Sequence, residues 1–350
     1  MQKVIFIILI GFLTTKGFGQ DNGRGGFSKD NFVVSARLQA LAGQIGALNN
    51  QGVVGGAEVA SIMQLNGPEV MLSHASIFKG LGVYEALYAQ PVTLFGHDIN
   101  AGIGLKYFDY GDFVETNQFG QTLGEFTLSD MTMNVFANWF MDKNVSFGAS
   151  VAYSKMNLVQ SGASHLGASI NGTYRDPEKG MIFTADLRNH GFVFANSTGA
   201  DLKSKPDWRL YASKKLIGSP FTFLATWTNL RQWDVIYRDE DAAPRQDPIT
   251  GQIIPVEEPT NFEKGLAHLV LGSEIAFSDK LAFFLGYHYR KRQELVYQSK
   301  PGTVGVSWGA KLGLKSIEIE YARNKVHLSN TINSISLFIA LPGQKKQIVN

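Results

Sequence analysis

A repeated alternation of bulky apolar and small residues constrains the fold of this chain more than any other feature. Residues 145–154 read VSFGASVAYS, in which every odd position from Val145 to Tyr153 is apolar and every even position is small. A period of two residues is typical of a β-strand, because successive side chains point to opposite faces of a sheet. The pattern recurs in INAGIGLKY (99–107), HLGASINGTY (165–174) and TVGVSWGAKL (303–312). The chain is therefore predicted to be all-β.

The small-residue face indicates which solvent surrounds the sheet. A soluble β-sandwich or lipocalin-like barrel, the alternative fold, would carry more charge on its water-facing positions. Here only 18% of residues are charged, whereas the chain contains 37 Gly, 24 Phe and 12 Tyr. In lipid every backbone polar group must pair internally, so strands can cross a membrane only as a closed barrel. We predict a transmembrane antiparallel β-barrel whose bulky side chains face lipid and whose small side chains face the lumen.

The lengths of the connections predict the number of strands. Short turns are expected near 95–98, 141–144, 176–180, 217–219, 278–280 and 314–316, and longer connections near 110–129, 158–163, 190–206, 231–263, 291–301 and 327–330. Outer-membrane barrels have short periplasmic turns and longer surface loops. Together with a first strand at VMLSHASIF (70–78), this pattern predicts about fourteen strands in a barrel of residues 69–341, with twelve or sixteen as alternatives. A tail (342–350) follows.

The N-terminal residues do not follow the strand pattern. Lys3 precedes the apolar residues 4–13, and Gly17 and Gly19 precede a cleavage site before Gln20, so residues 1–19 are predicted to be a signal peptide. Residues 20–68 lack alternation, and SARLQALAGQIGAL (35–48) is too rich in glycine for a stable isolated helix. We expect this hatch-like segment to plug the lumen partly, with a periplasmic position as the alternative. The predicted location is the outer membrane of a Gram-negative bacterium.

Composition and motifs exclude several kinds of chemistry. The chain has no cysteine, which excludes disulfides and thiol catalysis, and its net charge of +2 gives no sign of nucleic-acid binding. HExxH and P-loop motifs are missing from the sequence, and the adjacent pairs Ser164–His165 and His97–Asp98 would point to opposite faces of a strand. We therefore predict no enzymatic activity and no cofactor.

One long polar segment is predicted to be a surface loop. Strand parity places RQWDVIYRDEDAAPRQDPITGQIIPVEEPTNFE (231–263) at the cell surface, and loops of this length are commonly functional. Its acidic residues could bind Ca²⁺, but they lack EF-hand spacing, so a solvated charge run is favoured and no metal site is predicted. We predict that this loop contacts a protein partner through Asp239, Asp241, Arg245, Asp247, Glu257 and Glu258.

Several segments resemble the PorQ family of outer-membrane components of the type IX secretion system. The most specific is YFDYGDFVETNQFGQTLGEFTLSD (107–130), and the others are DPEKGMIFTADLRNHG (176–191), LYASKKL (210–216), LRQWDVIY (230–237), LVLGSEI (269–275) and GYHYRKRQEL (286–295). SARLQAL (35–41) is similar to the entry motif of PorV and of FadL-like barrels, which have fourteen strands and a hatch in the lumen. LNGPEV (65–70) departs from the Asn-Pro-Ala-type motif of those relatives.

The resemblance implies a non-enzymatic barrel that anchors a surface attachment complex. Its partners would be outer-membrane lipid and lipopolysaccharide, a PorZ-like surface protein and, indirectly, PorU and PorV; the complex processes secreted cargo and attaches it to lipopolysaccharide. The alternative is a FadL-like channel for hydrophobic small molecules. Lumen charges at Asp186, Arg188, Glu318 and Glu320 would line such a channel or pair inside a filled barrel.

Overall fold

Fourteen antiparallel strands form a closed barrel in the computed structural model of the chain. The structure describes residues 27–43, 65–94, 96–158, 161–236, 245–246, 253–254, 258–294, 302–327 and 329–342. The predicted signal peptide lies outside these residues. Each barrel strand pairs with its neighbours in sequence, β9 pairs with β12, and pairing of β1 with β16 closes the barrel. The predicted all-β barrel with fourteen strands is thus confirmed.

The strands are numbered in chain order. The barrel consists of β1 (Glu69–Phe78), β2 (Leu81–Leu94), β3 (His97–Thr116), β4 (Thr122–Phe140), β5 (Val145–Asn157), β6 (Gly162–Asp176), β7 (Met181–Asn196), β8 (Asp207–Lys215), β9 (Phe221–Trp227), β12 (Leu269–Ser278), β13 (Leu281–His288), β14 (Val306–Leu314), β15 (Ile317–His327) and β16 (Asn330–Ala340). A separate two-stranded hairpin consists of β10 (Arg245–Gln246) and β11 (Ile253–Ile254).

Short helices accompany the barrel. They are a 3₁₀ helix (Ser28–Asn31), α1 (Ala36–Ala40), α2 (Asn261–Ala267) and α3 (Tyr289–Glu294). Among the described residues, no helix is long and apolar enough to cross a membrane.

The two faces of the wall have the predicted chemistry. In β5, Ser146, Ser150 and Ser154 are buried on the inside, whereas Phe147 and Val151 are 46% and 52% exposed on the outside. Exposed aromatic side chains lie toward both ends of the barrel: Trp139, Phe147, Tyr174, Phe183, Phe221 and Phe283 at the short-turn end, and Tyr84, Tyr107, Trp227 and Trp308 at the other. Aromatic side chains at both rims of an apolar band are typical of a barrel in a bilayer.

Connection lengths differ between the two ends less consistently than predicted. At the end with the longer loops, only 197–206, 228–268 and 289–305 exceed five residues, and 79–80 and 158–161 are short turns. β3 and β4 extend beyond the predicted loop at 110–129 and leave only residues 117–121 as a turn, and the connection at 327–330 is also tight. A bulge between Asp109 and Asp112, with Gly111 at φ +81°, shifts the register of the β3–β4 pair. Because a bulge interrupts the alternation of side chains, the sequence pattern predicted a loop at a point where the two strands in fact continue.

Residues 27–43 lie inside the barrel and are called the plug. α1 packs against the inner faces of β13, β14, β15 and β16. Leu38 and Leu41 form one buried cluster with Ile182, Tyr211, Leu224 and Phe284, so the helix reaches the opposite wall as well. This confirms the expected partial filling of the lumen for the plug, while residues 44–64 of the predicted hatch lie outside the described residues.

Candidate functional site

A buried ion-pair cluster fastens the plug to the wall near the short-turn end. Arg37, in α1, is fully buried and pairs with both Glu318 and Glu320 of β15. Its backbone N–H also donates to Glu320 Oε2 at 3.2 Å. Glu318 lies 3.3 Å from the ammonium group of Lys311. Buried charges need such partners, because desolvating an unpaired ion is expensive.

Aromatic rings complete the surroundings of the guanidinium group. The Arg37 Cζ atom lies 5.4 Å from the centre of the Phe284 ring and 5.7 Å from that of Phe338. A cation over an aromatic face is attracted by the ring quadrupole, and this attraction is larger when water is excluded. Arg37 is thus held by charge and by stacking at once.

Small polar wall residues satisfy the backbone of the plug. The Ser336 hydroxyl accepts from the Ala36 N–H at 2.8 Å, and the Ser307 hydroxyl donates to the Ala40 carbonyl at 2.7 Å. Both serines lie on the inward face of their strands. A short helix leaves backbone groups at its ends without internal partners, and here the barrel wall supplies them.

Two wall glycines allow the plug to approach the backbone of the barrel. A Cβ atom added to Gly286 would lie 2.6 Å from the Ala42 nitrogen, and one added to Gly309 would lie 2.6 Å from the Ala40 Cβ. Real Cβ atoms do not approach other atoms so closely. At Gly286 the plug backbone therefore requires glycine, whereas at Gly309 the Tyr321 carbonyl oxygen of the neighbouring strand, at 2.5 Å, excludes a Cβ atom as well.

A second polar anchor lies at the opposite side of the lumen, around Asp30. Its carboxylate accepts from Ser154 Oγ at 2.8 Å and lies 3.2 Å from His165 Nδ1. The His165 ring stacks on Phe27 with centroids 4.8 Å apart, and Lys106 Nζ donates to the Phe32 carbonyl at 2.6 Å. The plug is therefore fixed at both ends of its described length.

A cavity of about 290 Å³ lies above the plug at the long-connection end, and we call it the outer vestibule. The ends of β8, β9, β12 and β13 surround it, and the plug forms part of its inner boundary. Its charged and titratable lining residues are Lys205, Asp207, Arg209, His288, Arg290 and Lys291.

The predicted partner-binding residues are mostly not described. Asp239, Asp241, Asp247 and Glu257 lie outside the described residues, and Arg245 is described only as part of the backbone of β10. Glu258 is exposed, two residues before the cap of α2. Whether these six residues form one surface stays a prediction.

Arg37 is the functional residue that the sequence analysis named only as part of the SARLQAL motif (35–41). Glu318 and Glu320 were expected in the lumen, but their partner Arg37 was not singled out. The sequence could have indicated its importance, because Arg37 is the only charged residue in the otherwise uncharged segment 35–48. Asp186 and Arg188, also expected in the lumen, are both buried there, and the Arg188 Nε atom lies 3.7 Å from Asp186 Oδ2.

Among the described residues, no group of three or more His, Asp or Glu side chains could hold a metal ion.

Comparison with known proteins identifies the fold but no close relative. No protein-family model and no curated protein matches the chain. The barrel is similar to the toluene transporter TodX of Pseudomonas putida, with a TM-score of 0.50, 12% identity, and 87% of this chain and 96% of TodX covered. The two proteins therefore share a barrel fold. The Ralstonia pickettii toluene transporter TbuX is more distant, with a TM-score of 0.46, 12% identity and coverages of 91% and 98%.

Proposed function

We propose that the protein is a non-enzymatic outer-membrane barrel that anchors a surface attachment complex of the type IX secretion system. The observation that carries this proposal is the plug, which the Arg37 ion pairs and the Asp30 contacts fix inside the lumen. Presenting surface loops requires no movement of a plug that is fixed in this way, whereas conducting a solute through the lumen does. The PorQ-like segments support the proposed partners, a PorZ-like surface protein and, through it, PorU and PorV.

The lining of the lumen also favours an anchor over a channel for apolar compounds. Among the described residues, the outer vestibule is bordered by several cationic side chains, and the cavity beside Asp30 is bordered by Glu85, Lys106 and Arg188. Pockets for apolar ligands are lined mainly by apolar and aromatic side chains. An apolar solute would gain little free energy by entering such a lumen.

A second candidate function is passage of hydrophobic small molecules across the outer membrane. It is favoured by the likeness to TodX, a toluene transporter, and this likeness supports a channel more than it supports an anchor. At 12% identity the likeness extends to the fold only. Transport would require the plug to move, because residues 27–43 occupy the lumen.

Affinity purification from outer membranes distinguishes the two functions. The tagged full-length protein is extracted in a mild detergent, and co-purifying proteins are identified by mass spectrometry. An anchor brings down a PorZ-like surface protein and a PorU-like peptidase. A barrel that is recovered alone and that accelerates toluene entry into liposomes supports the channel and contradicts the anchor.

Deletion of the long surface loop tests where the partner binds. Removing residues 238–257 should reduce recovery of the PorZ-like protein while the barrel still assembles, as judged by its heat-modifiable migration on gels. Removing residues 198–203, from another connection at the same end, is the matched control and should leave recovery unchanged. Equal recovery from both variants would exclude the 238–257 segment as the binding site.

A further inference from the structure

Positive charge is concentrated around the outer vestibule. α3 has the sequence YRKRQE, and its Arg290 and Lys291 line the cavity. Lys205 and Arg209 line it from the side of β8. Among the described lining residues, Asp207 is the only carboxylate. Cations therefore outnumber anions around this cavity at the long-connection end of the barrel.

The pairing of these cations is incomplete. Asp207 Oδ2 lies 2.5 Å from Arg209 Nε, and Arg290 Nε lies 3.8 Å from a carboxylate oxygen of Glu294. No carboxylate among the described residues lies within ion-pair distance of Lys291. His288 is only 8% exposed, and its Nδ1 atom has no hydrogen-bond partner among the described residues. Within the described part of the chain, Lys291 thus borders the cavity without a carboxylate partner, and the His288 Nδ1 atom borders it without a hydrogen-bond partner.

Contacts on the far side of α3 hold the helix in place. Arg292 Nη1 donates to the Gly302 carbonyl at 2.7 Å, and the His288 N–H donates to the Gly305 carbonyl at 2.8 Å. A Cβ atom added to Gly305, which has φ +81°, would lie 2.9 Å from the Arg292 nitrogen. The helix therefore packs directly on this turn, and the positions of Arg290 and Lys291 at the cavity are set by the fold.

Like charges gathered in a partly buried space repel one another. Burial, and then the neighbouring Arg290 and Arg209, lower the pKa of Lys291 to about 8. Lys291 remains mostly protonated at neutral pH. A bound anion would relieve this repulsion and would accept hydrogen bonds from groups that lack partners.

We propose that the outer vestibule binds the phosphate group of a small soluble phosphate ester. Phosphate offers several acceptor oxygens and about two negative charges, which suits converging guanidinium and ammonium donors. A cavity of about 290 Å³ has room for a small organic group beside the phosphate, near the lower end of the usual range for ligand pockets. The proposal does not depend on whether the barrel is an anchor or a channel.

The test is a binding titration of the purified full-length protein in detergent. Isothermal titration calorimetry with glucose 6-phosphate, at constant ionic strength, should show saturable binding at one site, and glucose should show none. Inorganic phosphate should compete, because the phosphate group is the part that is recognised. Lys291→Gln should weaken binding about tenfold or more, since hydrogen bonds to charged groups are among the stronger ones.

The control variant is Lys203→Gln, which removes an exposed lysine from a loop at the same end of the barrel. It should bind as the unmodified protein does. Because Lys291 experiences repulsion, Lys291→Gln should unfold at the same or a higher temperature without ligand, so a loss of binding is not a loss of folding. Non-saturable binding, or equal weakening in the two variants, would show a general attraction to surface charge and would overturn the proposal.

Discussion

Replacing Arg37 by Met should release the plug. In the plugged barrel this variant leaves Glu320 buried without its cationic partner, whereas Glu318 keeps Lys311. When the plug leaves the lumen, both carboxylates regain water. The substitution therefore destabilises the plugged state selectively. Removing one partner of a buried pair typically costs about 3–5 kcal/mol, so the open fraction should rise by a factor of roughly 10² to 10³ or more.

The absence of cysteine makes this population measurable. Ser35 is fully buried, and its hydroxyl has no hydrogen-bond partner in the described structure, so Ser35→Cys provides a single reporter on the plug. Its labelling rate with a water-soluble maleimide follows the open fraction when closing is faster than labelling. Arg37→Met should raise this rate by the factor given above. Ser329→Cys, at an exposed turn, gives the reference rate for a thiol that is always accessible.

Two further variants show whether charge pairing is the cause. Arg323→Met removes an arginine from the exposed face of the same strand as Glu320 and should leave the labelling of the plug unchanged. Glu320→Gln combined with Arg37→Met removes the unpaired buried charge and should restore much of the protection. Unchanged labelling in Arg37→Met, or equal labelling of the single and combined variants, would refute the reasoning.

Three other predictions follow from the same structure. Gly286→Val should raise labelling of the plug cysteine, since its side chain would meet the Ala42 nitrogen and the Ala40 carbonyl oxygen of the plug, whereas Gly124→Ala, which meets nothing within 4 Å, should not. Val151→Arg puts a charge in the lipid-facing band and should lower the unfolding free energy in liposomes by about 2–4 kcal/mol in urea titrations; an unchanged value would argue against a lipid-facing position. Thr260→Ala removes the N-cap of α2 and should cost about 1 kcal/mol, seen as faster hydrogen exchange in its first turn. Hydrogen bonds from Thr260 lower the pKa of Glu263 from its ordinary 4.5. In the unmodified protein, protection of the first turn of α2 from hydrogen exchange should therefore hold above pH 4.5 and decline as the pH falls through the lowered pKa. Protection that does not depend on pH would contradict the role of the carboxylate.

The sequence predicted the barrel because its wall repeats one simple rule. Alternation in segments such as 145–154 assigns each side chain to lipid or to the lumen, and the two faces of the structure agree. Gly111 shows where the rule fails, since a single bulge ends the alternation while the hairpin continues. The two-residue alternation of a strand can be recognised in the sequence because it repeats, whereas a single bulge does not repeat and leaves no such pattern.

The plug contacts could not be predicted in the same way. Arg37 pairs with Glu320 across a separation of 283 residues, and no periodicity connects them. Gly286 looks like any other small lumen residue, although a Cβ atom at this position would meet the Ala42 nitrogen of the plug. The predicted partner-binding residues of the 231–263 loop cannot be assigned from a local pattern either, because a binding surface depends on which distant segments come together in the folded protein.

The distance in sequence between the plug and its binding strands has a consequence for assembly. Ribosomes make the plug before any strand of the barrel, and β14, β15 and β16, which supply Ser307, Glu320 and Ser336, are made after the other strands. The site that receives α1 is therefore complete only when the final strands are present and β16 has joined β1. A seated plug therefore indicates that all fourteen strands are in place, so a segment made before the barrel serves as a check on the completion of its final strands.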